Sequence, residues 1–159
     1  MSLLPTCSNL PQDQPGSRHP LTFLHCPTNR QLKGTEFVVA ASERLKDEGY
    51  DHSLIVMSGA PHEAVLEAMQ AADVVIDQLL IGWYGMVAVE AWAYGKPVIC
   101  YIRPDLYEEY YVPARLADQD TITDAMKSFL MFPDLCGHWG RMGRAYVVKV
   151  HTSRGYLDG

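Results

Sequence analysis

Residues 71–102 read AADVVIDQLLIGWYGMVAVEAWAYGKPVICYI, and the order of apolar runs and chain breakers in them decides the fold. Val74, Val75, Ile76, Leu79 and Leu80 make the span from Asp73 to Leu80 almost continuously apolar, which suits a parallel strand covered on both faces. Gly82 and Gly85 then bracket Trp83 and Tyr84, so the chain has room to turn. From Met86 to Tyr94 every residue except Glu90 is apolar or aromatic, which predicts a helix buried nearly all round. Gly95 ends it, and Val98 to Ile102 reads as the next strand. Strand, turn, helix and strand make one βαβ unit with a right-handed crossover.

The same alternation extends outward in both directions. Leu21 to His25 is a short strand running into the loop residues Pro27, Thr28, Asn29 and Arg30. Over Thr35 to Glu48, Phe37, Val38, Ala41 and Leu45 fall on one helical face, Glu36, Glu43, Lys46 and Asp47 fall on the other, and Gly49 supplies the stop. Ser53 to Met57 predicts a second strand. Pro61 suits the first position of a helix whose stripe is Val65, Leu66, Met69 and Ala72. Beyond Arg103 the pattern weakens, but Thr121 to Leu130 and Leu135 to Val150 keep helical spacing. The fold class expected is α/β, a doubly wound parallel sheet of Rossmann-like type forming a single domain over 21–150. The proline-rich lead-in over 1–20 reads as a linker, and 151–159 reads as a C-terminal tail.

Composition narrows the function. A chain of 159 residues, 48% hydrophobic and 20% charged, has the size and apolar content of one globular domain. Its formal charge of -6 and pI near 5.4 argue against a nucleic-acid partner, because phosphate-backbone affinity needs clustered Lys and Arg. Cys7, Cys26, Cys100 and Cys136 form no C-x-x-C pair and no grouping with histidines, so reduced thiols of a cytoplasmic protein are expected, with no metal site. Asp77, Glu90 and Lys96 interrupt the most apolar stretch, so it falls short of the roughly 18 residues of a membrane span. The lead-in does not read as a signal peptide.

In an open parallel sheet, ligands bind beyond the carboxyl ends of the strands. That rule selects Thr28 to Gly34, Ser58 to His62 and Gly82 to Val87. Amides of Gly85, Met86 and Val87 at the positive end of a helix dipole suit a diphosphate, while a plain tight turn at Gly82 and Gly85 remains the simpler reading. Glu90, one turn into that helix, could accept hydrogen bonds from ribose hydroxyls, pair with Arg30 or Lys33, or be a satisfied core glutamate. Arg30 and Lys33, with Gly34 giving the backbone room, could neutralise a pyrophosphate leaving group, and Asn29 and Thr28 could add hydrogen bonds. A solvated basic loop is the competing reading. His25 and His62 lie near the same face and read as structural.

NRQLKGTEFVVAASERL, AADVVIDQ, GWYGMVAVEAWAYGKPVICY and GRMGRAYVVKVH, in that order and spacing, resemble the C-terminal donor-binding domain of the family 4 glycosyltransferases, which have the GT-B fold. The resemblance runs from about Leu21 to about Val150. It implies that Lys33 contacts donor phosphates, that Gly85, Met86 and Val87 offer amides to them, and that Glu90 binds the ribose. It further implies sugar transfer from a UDP or GDP sugar to a hydroxyl acceptor with retention, as in polysaccharide biosynthesis. The nucleotide sugar is the co-substrate, no cofactor is tightly bound, and an N-terminal acceptor domain is the missing partner, so the chain alone is an inactive half.

This sequence departs from the family pattern at two places. Gly82 stands where the family has the first glutamate of its E-x7-E motif, and Thr28 stands where it has an arginine. Arg30 is the candidate replacement for the arginine, and Asp77 or Gln78 for the glutamate in the sugar pocket. A non-catalytic nucleotide-binding or interaction module and a sugar epimerase-like domain are the rival readings.

Overall fold

The computed structural model describes residues 20–152; the expected linker through residue 19 and the tail beyond residue 152 lie outside the described residues. Strands β1 (Leu21–His25), β2 (His52–Val56), β3 (Val74–Ile76), β4 (Val98–Cys100) and β5 (Arg115–Leu116) form one sheet in the order β2-β1-β3-β4-β5. All its pairings are parallel. The helices are α1 (Arg30–Lys33), α2 (Thr35–Asp47), α3 (His62–Ala71), α4 (Met86–Ala93), α5 (Pro104–Tyr110), α6 (Ile122–Met131) and α7 (Leu135–Val147), with a π-helical turn at Val148–Thr152.

Alternation along the strands divides the core into two layers. Phe23, Val74, Ile76 and Ile99 pack against Val38, Ala41 and Leu45 of α2 and Met126 and Phe129 of α6. Leu24, Val75, Val98 and Cys100 face the other way, onto Met69 of α3, Ala88 and Trp92 of α4, and Val147 of α7. Burial on both faces explains why β3 and β4 are apolar at every position, and the doubly wound α/β fold expected from the sequence is the one the chain adopts.

The elements differ from the sequence reading mainly at their ends. The apolar runs predict longer strands than β3 and β4, although ladder bonds continue past both: Asp77 N–H donates to the Ile99 carbonyl and Tyr101 N–H to the Gln78 carbonyl, each at 2.9 Å. Pro61 caps α3 from outside rather than opening it, and the last helix leaves α geometry after Val147 for the π-helical turn. Helix α5 and strand β5 escape the periodicity search altogether. Helix α5 buries no residue and β5 is two residues long, so neither writes an amphipathic signal into the chain.

Candidate functional site

Order reverses between β1 and β3, whose onward connections run to opposite sides, so a crevice opens at their carboxyl ends. His25 anchors that point. It is wholly buried, with Nδ1 2.9 Å from the Ile76 carbonyl and Nε2 2.9 Å from Thr35 Oγ1. A carbonyl can only accept, so Nδ1 carries the proton and Nε2 accepts from the Thr35 hydroxyl. Burial holds the pKa of His25 below its ordinary value of 6.5.

A neutral buried histidine makes stability depend on pH. Above pH 6.5 neither state protonates it and its contribution is complete; below that, the unfolded chain takes up a proton that the folded chain refuses, until pH reaches the lower folded pKa. Within that window His25 removes about 1.4 kcal/mol of stability per pH unit. Chemical denaturation at pH 7.5 and 5.0 should therefore show a smaller loss in His25→Gln than in the wild type; an equal loss would mean that His25 does not titrate as described.

After β1 the chain makes one helical turn, α1, capped by Asn29, whose Oδ1 accepts from Leu32 N–H at 2.9 Å. Gly34 closes it at φ +79° and opens α2, and its ideal Cβ position lies 3.1 Å from Leu79 Cβ. A larger residue is strained there by conformation and would need Leu79 to give way by a few tenths of an ångström. Leu79 N–H donates to the Lys33 carbonyl at 3.1 Å, which ties α1 to the loop after β3. Thr28 and Arg30 are exposed at its rim.

Lys33 thereby points at Asp77. Its Nζ lies 3.2 Å from Asp77 Oδ1, with 15% of the lysine side chain and none of the aspartate side chain exposed. Asp77 Oδ2 accepts from Gly85 N–H at 2.7 Å, immediately before α4. Gly85 offers no side-chain cap of its own, so a carboxylate eight residues back caps the helix. Lys33 and the Gly85 N–H thus meet at one point, and the anion between them is this chain's own Asp77.

The other candidates for the glutamate's place are now defined. Gln78 is wholly buried and consumed by its loop and the end of β4: Oε1 accepts from Ile81 N–H (2.6 Å) and Gly82 N–H (3.2 Å), and Nε2 donates to the Trp83 and Tyr101 carbonyls. It is a clip for the turn, with no capacity left for a sugar hydroxyl. Gly82 sits at φ +96°, and its ideal Cβ position is 2.7 Å from Arg103 Cγ. A glutamate would collide there, and the N–H of Gly82, one of the residues taken for the donor site, is given to Gln78 Oε1.

Glu90 has a partner that spacing did not suggest. Its Oε2 accepts from His62 Nε2 at 2.7 Å, and a fifth of its side chain is exposed. The ammonium of Lys33 goes to Asp77. Burial, helped by the charge of Glu90, pushes the thiol of Cys26, just past β1, up to about 11. His62 opens α3, so this pair joins α3 to α4 across the mouth of the sheet. Met86 and Val87 form the first turn of α4, and Met86 is exposed.

Beside this crevice lies an aromatic cleft of about 350 Å³ lined by Trp83, Tyr84, Leu106, Tyr110, Tyr146 and Val150. Tyr84 Oη meets Tyr146 Oη at 2.8 Å, and Trp83 meets Tyr110 edge-on with centroids 5.5 Å apart. Two of these residues come from α5, so the cleft was invisible to a reading that missed that helix.

No protein-family model and no curated protein matches the sequence. Solved structures do match by shape. WaaG, a glycosyltransferase involved in lipopolysaccharide biosynthesis, superposes with a TM-score of 0.57 at 14% identity, over 90% of this chain and 48% of its own. A TarM variant from S. aureus, solved in complex with Fondaparinux, alpha-GlcNAc-glycerol and UDP, gives 0.56 at 13% identity, over 89% of this chain and 35% of its own. The C-terminal domain of LpcC, a glycosyl transferase group 1 family protein from Francisella tularensis, gives 0.59 at 16% identity, over 83% of this chain and 86% of that domain. The chain thus spans about half or less of the first two proteins and most of an isolated C-terminal domain. Among the described residues, no helix is long and apolar enough to cross a membrane. The fold is the Rossmann-like α/β arrangement found in glycosyltransferases.

Proposed function

We propose that this chain is the donor-binding domain of a GT-B glycosyltransferase of family 4 type, a cytoplasmic enzyme half that holds a UDP or GDP sugar for transfer to a hydroxyl acceptor with retention. The observation that carries the reading is the meeting of Lys33 with the amide-bearing mouth of α4 at the switch point of the sheet. The fold is shared with glycosyltransferases, and one of them holds UDP. In this reading the cation and the helix-end amides stabilise the departing diphosphate, a preorganised electrostatic contribution. Glu90 exchanges its bond from His62 for bonds from the ribose. Arg30, Asn29 and Thr28 line the exposed approach. The acceptor site belongs to a partner domain.

UDP or GDP at about 100 times its Kd should stabilise the domain by about 2.7 kcal/mol and raise Tm by roughly 8 °C. Differential scanning fluorimetry over a series of nucleotides checks this. A second reading, a non-catalytic interaction module, draws on Gly82 lying under Arg103, which leaves that position without the carboxylate a donor sugar would use. A flat response to every nucleoside diphosphate would favour it.

A further inference from the structure

The place where a donor phosphate would lie is occupied by a side chain. Asp77 is 2% exposed and joins the two groups assigned to the diphosphate, the Lys33 ammonium at 3.2 Å and the Gly85 N–H at 2.7 Å. Three features make this a built arrangement. Asp77 is held on a ladder step past the end of β3 through its own N–H to Ile99, Lys33 is aimed by the bond from Leu79 to its carbonyl, and the carboxylate takes the N–H of the residue that opens α4, a glycine with no side chain to cap the helix itself.

We infer that Asp77 is a resident counter-anion that a donor diphosphate must displace, and that it sets how tightly the site takes a nucleotide. The inference rests on the donor-binding reading above. A backbone N–H makes one good hydrogen bond, so Gly85 cannot serve Asp77 and a phosphate oxygen together. Lys33 has three protons and could bridge both, but two anions on one ammonium in a dry crevice repel each other. Binding therefore exchanges one anion for another. In the resting chain the exchange keeps Lys33 and the start of α4 neutralised; with nucleotide present, it weakens the net affinity by the cost of moving Asp77. The same carboxylate discriminates between ligands, because a diphosphate brings enough charge to compete for Lys33 and Gly85 while a neutral sugar does not.

The test is isothermal titration of the full 159-residue chain with UDP and with GDP, comparing wild type and Asp77→Asn. The amide variant keeps an oxygen for Gly85 N–H and removes the competing charge, so Kd should fall about tenfold or more. In the wild type, the Gly85 amide resonance should shift on saturation, and this second measurement decides the matter even if Asp77→Asn fails to fold. Unchanged or weaker binding by the variant, or a Gly85 amide that stays put at saturation, overturns the exchange and leaves the donor-binding reading standing. Absence of binding by both proteins overturns the two together.

Discussion

Gly140→Ala and Gly143→Ala should each unfold at a clearly lower urea concentration than the wild type, although alanine is the better helix former. An exposed Gly-to-Ala change inside a helix gains about 1 kcal/mol. Here the sign reverses. The ideal Cβ position on Gly140 lies 2.0 Å from the Gly95 carbonyl oxygen and 2.9 Å from its carbon, and that on Gly143 lies 2.0 Å from Trp92 Cδ1. The two glycines, three residues apart on α7, let that helix press directly onto α4 and the turn that ends it. Overpacking costs about 1–3 kcal/mol and more where the clash is with backbone that has no rotamer to change, so Gly140→Ala should be the worse of the two. Trp92 is wholly buried, so it too has little freedom to move aside. Gly137 supplies the control: its nearest neighbour is the flexible end of Arg141 at 3.1 Å, and Gly137→Ala should be neutral or mildly stabilising. If Gly140→Ala matched Gly137→Ala, α7 would not pack on α4 as described.

Lys33→Ala should be nearly as damaging to the fold, and damaging to binding as well. It leaves the Asp77 carboxylate buried with the Gly85 N–H but no cation. Removing one partner of a buried ion pair costs about 3–5 kcal/mol; the partial exposure of Lys33 and the remaining hydrogen bond put the expected value near the lower end. A double-mutant cycle identifies the cause. Lys33→Ala combined with Asp77→Asn should recover much of the loss, since the orphaned charge has gone. Nucleotide affinity of Lys33→Ala should fall by about 1.5–3 kcal/mol, as for loss of a charge-assisted hydrogen bond. A stability loss below about 1 kcal/mol would show a solvated, weakly coupled pair.

The site was legible in parts that differ for physical reasons. Lys33, Gly34 and Gly85 could be found because they stand at strand ends, and strand ends in a parallel sheet share one edge. The partnership of Glu90 with His62 could not, because the two lie 28 residues apart on different helices and nothing in either local pattern records the other. Gln78 illustrates a different limit. The family pattern made it a candidate for the missing glutamate's place in the sugar pocket, whereas three atoms of its own loop and two at the end of β4 satisfy it. A buried amide is either a loop organiser or a ligand contact, and only the count of its bonds tells which.

Local chemistry alone determined the layers: alternating apolar periods of strand and helix, glycines where the chain reverses, and uninterrupted apolar runs for strands buried on both faces. Those signals are short-range, so they survive in the one-dimensional chain. Which charges meet is a long-range matter. Asp77 reaches Lys33 across 44 residues of sequence only because β1 and β3 are neighbours in the sheet, and it reaches Gly85 only because the turn between them folds back. Tertiary structure alone therefore decided that the Lys33 ammonium and the Gly85 N–H meet on this chain's own carboxylate.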